Sequence, residues 1–347
     1  MERRYKGPVT VALDVMGSEI GPEEMIRGAY DAVMKYPLIT VVCVGDEKLI
    51  GRAMRSLELS HPRLLLQHAG DVVGMDEQPN QAVKKKDSSI AVAADLVKEK
   101  KADAVVSPGN TGATMAVCMV SWKRLPGISR PAIATVLPHP KRPCLLLDVG
   151  ANVDCKGRNL LHFAIMGSTY ARYVLHRRRP RVGVLSNGEE DCKGTELVKE
   201  AAGLLRGSTL NFAGNAEGRD LMRGTFDVVV CDGFVGNIVL KFGEALGEFI
   251  MSNLKEEVRR NLISQVGALA MLPALQRFKK QVDHAEYGGA PLLGLNGVCI
   301  ICHGSSRSKA IFNAIRVASE QVSLRVNNHI LEVLSENPGP PSAPAEQ

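Results

Sequence analysis

At 347 residues with 45% apolar side chains, the chain is long enough to bury a substantial core as one large α/β domain or two lobes, which excludes wholesale disorder. Its formal charge of +6, from 43 basic and 37 acidic residues, is a modest surplus that suits an acidic partner better than a nucleic acid. Aromatic residues make up 4%, with Trp122 the single tryptophan, so platforms for stacking bases are scarce and no nucleic-acid partner is expected.

The eight cysteines are scattered through apolar runs such as Val41-Val42-Cys43-Val44, as reduced thiols used as small hydrophobes are, and not as a disulfide framework. The start Met1-Glu2-Arg3-Arg4-Tyr5-Lys6 is basic, but Asp14 breaks the apolar run after it too soon for a signal-peptide core. The expected location is the cytoplasm. No stretch reaches the ~20 apolar residues of a membrane-spanning helix, so any membrane contact is expected to be peripheral.

In chain order, β-rich runs are expected at Val9 to Asp14, Thr40 to Gly45, Leu64 to His68, Ala104 to Ser107, Cys144 to Val149, Arg181 to Leu185, Leu210 to Ala213, Val228 to Cys231 and Gly297 to Cys302. They alternate with helical patterns, which argues an α/β fold with a mainly parallel sheet. Runs that are apolar throughout, such as Cys144-Leu145-Leu146-Leu147, suit strands covered on both faces. Most end in Gly, Asn, Asp or Ser, and ligands of such sheets bind beyond the carboxyl ends of the strands, so these clusters are expected to line one cleft. The catalytic domain is expected over 1–333, with a protruding helical hairpin at 235–282. From Asn337-Pro338-Gly339-Pro340-Pro341-Ser342 the composition turns to Pro, Gly, Ser and Ala, and 334–347 is expected to be a disordered tail.

The clusters carry the chemistry. Asp14-Val15-Met16-Gly17-Ser18-Glu19 is a strand end and glycine-bearing loop whose acids can orient a ligand or cap a helix. In Ser107-Pro108-Gly109-Asn110-Thr111-Gly112-Ala113 glycines permit close backbone approach and a helix starts with free N–H groups, which makes either an anion seat or a plain capped turn. Neither the dinucleotide fingerprint nor the nucleotide phosphate-loop motif is present. Leu147-Asp148-Val149-Gly150-Ala151-Asn152 precedes a segment in which Lys193 sits at a strand-to-helix junction, within reach of an anion or as a solvated charge. Asn215, Asp232 and Asn237 stand among glycines, where neutral amides can polarise a carbonyl or satisfy loop backbone. His303 ends the last strand, as a structural or a catalytic histidine. Cys299-Ile300-Ile301-Cys302-His303 matches a haem-attachment pattern, but residues three apart on a strand face opposite sides, so the pair can grip neither a haem nor a zinc ion. No metal site and no cofactor are expected.

Taken together and in this order, these clusters resemble the phosphate acyltransferase (PlsX) family of bacterial phospholipid synthesis, over roughly Val9 to Arg325. The motifs are Gly109-Asn110-Thr111-Gly112-Ala113, Asn211-Phe212-Ala213-Gly214-Asn215-Ala216-Glu217-Gly218-Arg219-Asp220, Cys231-Asp232-Gly233-Phe234-Val235-Gly236-Asn237, and Tyr287-Gly288-Gly289-Ala290-Pro291-Leu292-Leu293-Gly294 with the distant His303-Gly304-Ser305-Ser306. The resemblance implies a three-layer α/β/α fold like that of phosphotransacetylase and isopropylmalate dehydrogenase. It also implies a homodimer, peripheral membrane association, and formation of acyl phosphate from an acyl-[acyl carrier protein] and inorganic phosphate. Ser18, Glu19 and Pro108 depart from the family's usual Gly, Asp and Ala.

On that reading Lys193 and the Gly109 to Gly112 backbone hold phosphate, Asn237 bonds carbonyl or phosphate, and His303 protonates the departing thiolate. Asp14, Asn110, Thr111, Asn215 and Asp232 complete the expected substrate site. Residues 262–275, an apolar run flanked by Arg259, Arg260, Arg277, Lys279 and Lys280, are expected to enter the lipid interface at the hairpin tip, with Pro273 interrupting the helix. The alternatives are a short-chain phosphotransacetylase using a coenzyme A thioester, a nicotinamide dehydrogenase on a related fold, and a non-catalytic membrane scaffold for the carrier protein.

Overall fold

The apolar runs form the inner layer of the molecule. In the computed structural model, which describes residues 7–139, 141–282 and 284–337, eleven strands join in one sheet. The basic start at 1–6 and residues 338–347 of the expected tail lie outside the described residues.

The first half of the chain supplies β1 (Val9–Asp14), α1 (Pro22–Lys35), β2 (Ile39–Gly45), α2 (Glu47–Ser56), β3 (Leu64–His68), the single turn α3 (Pro79–Ala82), α4 (Ser89–Lys98), β4 (Ala104–Ser107) and α5 (Thr111–Trp122). The middle supplies β5 (Ala132–Leu137), β6 (Cys144–Leu147), α6 (Gly157–Tyr173), β7 (Val182–Leu185), α7 (Glu196–Arg206), β8 (Phe212–Ala216), β9 (Val228–Val230), α8 (Gly233–Arg259) and α9 (Leu262–Val282). The chain returns through β10 (Ala290–Leu293), β11 (Val298–Ile301), α10 (Ser308–Ser323) and α11 (Val326–Glu336).

The strand order is β3-β2-β1-β4-β11-β10-β5-β6-β9-β7-β8. β1 to β4 and β11 pair in parallel, as do β6, β9, β7 and β8. Between the two sets, β10 is antiparallel to both β11 and β5, and β5 is antiparallel to β6. These three reversals give the sheet two parallel halves of opposite ladder sense.

Helices cover both faces. On one face, α1, α2 and α10 bury Met25, Ile50 and Ile311 over the first half, and α6, α7 and α11 bury Phe163, Leu205 and Ile330 over the second. On the other, a continuous apolar layer runs under α4 and α5 and reaches Val239 and Leu240 of α8. Cys299 lies in that layer and Cys302 in the opposite one, so the two thiols point to opposite faces of β11.

α11 continues through Glu336, and Asn337 is buried with its amide bonded to the Thr209 hydroxyl at 2.9 Å and the Val333 carbonyl at 2.8 Å. The chain is therefore packed at 334–337, where the tail was expected to begin. α8 and α9 are long and expose much of their apolar surface, including Phe242, Phe249, Ile263 and Leu269. Pro273 does not break α9, contrary to expectation: a proline removes one N–H, and the turn between the helices falls instead before Asn261, whose side chain caps α9 by accepting from the Ser264 N–H at 2.8 Å.

Candidate active site

The polar loops gather in two groups, one from each half of the sheet. In the first, Asp14 ends β1 and is buried; its carboxylate accepts from the Ser107 hydroxyl at 2.7 Å and from the Gly17 N–H at 3.1 Å. Burial pushes this carboxyl above its ordinary range against the pull of the Ser89 and Ser107 hydroxyls and of the Gly17 N–H. Gly17 lies on Gly109, where an added Cβ would come within 2.9 Å of the Gly109 Cα, so the two loops touch backbone to backbone.

The Asn110 side chain caps α5, accepting from the Ala113 N–H at 3.0 Å, while its Nδ2 donates to the carbonyls of Met75 at 2.7 Å and Glu77 at 3.1 Å. Its amide is thus engaged in holding the loop. The first N–H groups of α5, at Thr111 and Gly112, have no intrahelical acceptor and carry the positive end of the helix dipole. His303 follows β11 and is exposed, its Nδ1 2.8 Å from the Ser305 hydroxyl and accepting from the Ser305 N–H at 3.2 Å. In the neutral ring that leaves the proton on Nε2. Ser18 and Glu19 hold the same turn: the Glu19 N–H donates to the Gly304 carbonyl at 3.0 Å, and the Ser18 hydroxyl does so at 3.4 Å. The Glu19 carboxylate is exposed.

The second group is centred on Asp148, fully buried just after β6. Its carboxylate accepts from the backbone N–H groups of Ile133, Ala151 and Asn152 and from Asn152 Nδ2, at 2.7 to 3.1 Å. Burial raises its pKa against these donors. The Asn152 carbonyl accepts from the Gly233 N–H at 2.7 Å, Asp232 caps α8 through the Val235 N–H at 2.9 Å, and an added Cβ on Gly236 would come 1.8 Å from the Asp148 carbonyl oxygen. This closeness seals the first turn of α8 to the 148–152 loop and sets half-buried Asn237 against Gly150.

Lys193 and Asn215 lie beside this second group, beyond β7 and in β8. Lys193 is exposed on the loop before α7, and buried Asn215 braces that loop by donating to the Glu190 carbonyl at 2.8 Å. The structure therefore brings Asp14, Gly109 to Gly112 and His303 together, sets Asp232 and Asn237 in the first turns of α8, and places Lys193 on the loop that Asn215 braces. What physically joins the groups is α5. It starts in the first, and along its far side runs a groove of about 600 Å3, lined by Met115, Met119, Val120 and Pro131 and reaching Asn152 of the second.

In the sequence Asp148 and Asn152 form a polar strand end with no local sign of what they hold. Their importance rests on contact with Gly233 and Gly236, more than eighty residues away. Cys231, beside Asp148, is held protonated by burial first of all, so it offers no thiolate nucleophile. Among the described residues, no group of three or more His, Cys, Asp or Glu is placed to hold a metal ion.

The two-half α/β/α sheet is a fold this chain shares with phosphotransacetylases. The chain superposes on EutD phosphotransacetylase from Staphylococcus aureus with a TM-score of 0.62 at 16% identity, covering 91% of this chain and 94% of that one. A branched-chain phosphotransacylase from Enterococcus faecalis gives 0.57 at 15% identity, covering 90% and 99%. At such identities the likeness concerns the fold. In sequence, the fatty acid synthesis protein family matches residues 9–329. The chain is 51% identical over 332 residues to a phosphate acyltransferase from Syntrophotalea carbinolica, covering 95% of each protein, and 49% identical over 323 residues to one from Geobacter sulfurreducens, covering 93% of each. The chain belongs to this family of phosphate acyltransferases.

Proposed function

We propose that the chain moves a long acyl group from an acyl carrier protein thioester to inorganic phosphate. A phosphate oxygen attacks the thioester carbonyl, the new C–O bond replaces the C–S bond, and the departing thiolate takes a proton. Family membership supports acyl transfer to phosphate, and the observation that carries the site assignment is the open first turn of α5 behind the Gly17 and Gly109 contact, with His303 on the neighbouring strand end.

Phosphate needs little activation, since its monoesters have a second pKa of about 6 and the anion is already largely doubly charged near neutrality. The site must instead hold that charge, orient one oxygen and stabilise the oxyanion that forms. The α5 N–H groups and Lys193 serve the phosphate, Asn237 the carbonyl oxygen, and the Nε2–H of His303 the sulfur. No acyl-enzyme is needed. Purified protein given acyl carrier thioester and phosphate is expected to form acyl phosphate, detected as hydroxamate, and Lys193→Ala or Asn237→Ala to slow turnover about tenfold or more with the fold intact. Turnover with a coenzyme A thioester in place of the carrier thioester would instead support a short-chain transacetylase.

The acidic carrier docks, on this reading, near the first group, where Lys84 and Lys86 are exposed and Lys85 is bridged to Glu77 at 3.0 Å. The Arg177 to Arg181 run, the other candidate, precedes β7 and so stands at the opposite end of that strand from Lys193. The working form is a homodimer that meets the membrane through 262–275, where Leu262, Ile263, Val266 and Leu269 are each at least 65% exposed beside Arg259 and Arg260. Replacing Leu269 and Leu272 with Glu is expected to abolish binding to anionic vesicles while dimer mass and activity in solution persist. Dissociation of the dimer would assign the face to subunit contact.

A further inference from the structure

The groove of about 600 Å3 beside α5 has a floor that solvent reaches and a charged rim that the proposed reaction does not use. Met119 is 38% and Val120 54% exposed, and Met115, one turn earlier, is half-buried. Thr111, Met115 and Met119 are spaced by four residues and so share one side of the helix. Pro131 lines the groove from the segment before β5.

The rim is cationic. Lys123 and Arg124 follow the last turn of α5, Arg130 precedes Pro131, and all three are exposed. Among the described residues no acid lines the groove and none of the three cations forms an ion pair. Their positions are fixed by the backbone: the Asn296 N–H donates to the Lys123 carbonyl at 3.0 Å, and the Leu125 N–H to the Gly294 carbonyl at 2.9 Å. The Arg124 guanidinium donates to the Ser129 carbonyl through Nη1, which leaves the rest of its fork open. An apolar floor beside three unpaired cations fits an alkyl chain that ends in an anion. A neutral chain leaves the cations unused, and a small anion leaves the methionines in water. Methionine side chains also adapt to chains of differing length, and the volume is that of a small-molecule site. The groove reaches Asn152, whose side chain is bonded to Asp148 at 2.8 Å and whose carbonyl holds Gly233, so it adjoins the loop against which Asn237 is set.

We propose that this groove binds a long-chain acyl anion, with the chain along Met115, Met119 and Val120 and the head group among Lys123, Arg124 and Arg130. The inference rests on the acyl-transfer reading only for the source of the ligand. Acyl phosphate formed beside Asn237 is such an anion, and so is the fatty acid released with inorganic phosphate when water hydrolyses it. A site for that anion next to the reaction centre keeps a sparingly soluble product on the protein after the carrier has left.

Calorimetric titration of the whole protein with dodecylphosphonate, a stable stand-in for acyl phosphate, tests this beside laurate, butylphosphonate and dodecyltrimethylammonium. Dodecylphosphonate is expected to bind, and butylphosphonate to bind about a hundredfold or more weakly, since each buried methylene tightens binding about fourfold. The cation should not bind. Laurate, with a single charge, should fall between the two phosphonates; laurate binding more tightly than dodecylphosphonate supports the site with the fatty acid as its occupant. Affinity for the long anions should drop about tenfold or more in Lys123→Ala with Arg130→Ala and weaken with salt. It should be lost in Met119→Glu, chosen because the position is exposed. Binding should persist in Lys193→Ala and in Leu269→Glu with Leu272→Glu, which sets it apart from the reaction centre and the hairpin tip. The inference is overturned if chain length makes no difference, if the cation binds as well as the anions, or if binding survives the rim and floor variants. Dissociation of the dimer by Met119→Glu would assign the face to a second copy and overturn it too. Binding is read without turnover, so the two readings fail separately: a protein that binds dodecylphosphonate but forms no acyl phosphate loses only the acyl-transfer reading, and one that turns over but binds none loses only this one.

Discussion

Asp14 closes β1 and Asp148 follows β6, and each is a buried carboxylate that accepts the N–H of the residue three places on, Gly17 in one case and Ala151 in the other. Burial raises both carboxyls. Their remaining partners differ. Asp14 is met by the hydroxyls of Ser107 and Ser89, groups that can donate or accept. Asp148 is met only by N–H groups, which can only donate, and these come from β5, from its own loop and from Asn152. The same device thus leaves the first loop adjustable and open to solvent at the end of α5, and makes the second a rigid bracket for α8.

The contrast can be broken first at the close contact of the second loop. Gly236→Ala would set a methyl carbon 1.8 Å from the Asp148 carbonyl oxygen, a backbone atom that cannot step aside. Urea unfolding is expected to show a loss of about 3 kcal/mol or more, or failure to fold. The carboxylates themselves sharpen the comparison. Asp148→Asn places an NH2 group against N–H donors and should cost about 2 to 3 kcal/mol. Asp14→Asn lets the Ser107 hydroxyl turn round to accept, and should cost less than about 1 kcal/mol in the same experiment. Equal losses would show that the two loops are held alike.

Acid should separate the halves as well. Buried His162, in α6 of the second half, accepts from the Ser129 N–H at 3.1 Å through Nδ1, and burial, aided by Arg158, lowers its pKa from 6.5 to about 4. A histidine whose folded pKa is depressed contributes stability that is complete above pH 6.5 and lost as the pH falls through 4. The loss should reach roughly 2 to 3 kcal/mol and be flattened in His162→Gln. A parent and a variant with the same slope between pH 6.5 and 4 would remove His162 from the account.

Strands with a strong local pattern were readable from the sequence. Val9 to Asp14 and Leu64 to His68 begin and end where expected, because β-branched and leucine runs bounded by turn residues leave little choice. β5 and β10 carry no such local pattern. Pro291 lies inside β10, and a proline argues against a central strand, yet β10 is paired on both sides, with Pro291 in register with Ile300. Its partner β5 lies some 150 residues away, which no local pattern announces. The site divides in the same way. The loop at Gly109 to Gly112 and the caps at Asn110 and Asp232 are local features and could be seen in the residues themselves, whereas the bracket between Asp148 and Gly236 exists only once β6 and β9 lie side by side.

The order of the strands has a consequence for synthesis. β4 and β5 are consecutive in the chain but are not neighbours in the sheet; β11 and β10 stand between them. A chain emerging from the ribosome can assemble β1 to β4 as one sheet and β5 to β9 as another, but has nothing with which to join them until the segment ending at Ile301 is made. That late hairpin is the keystone of the arch. A nascent chain halted before Ala290 holds two half-sheets, each with a bare inner edge, and the continuous apolar layer beneath α5 and α8 closes only when the last strands slide in between them.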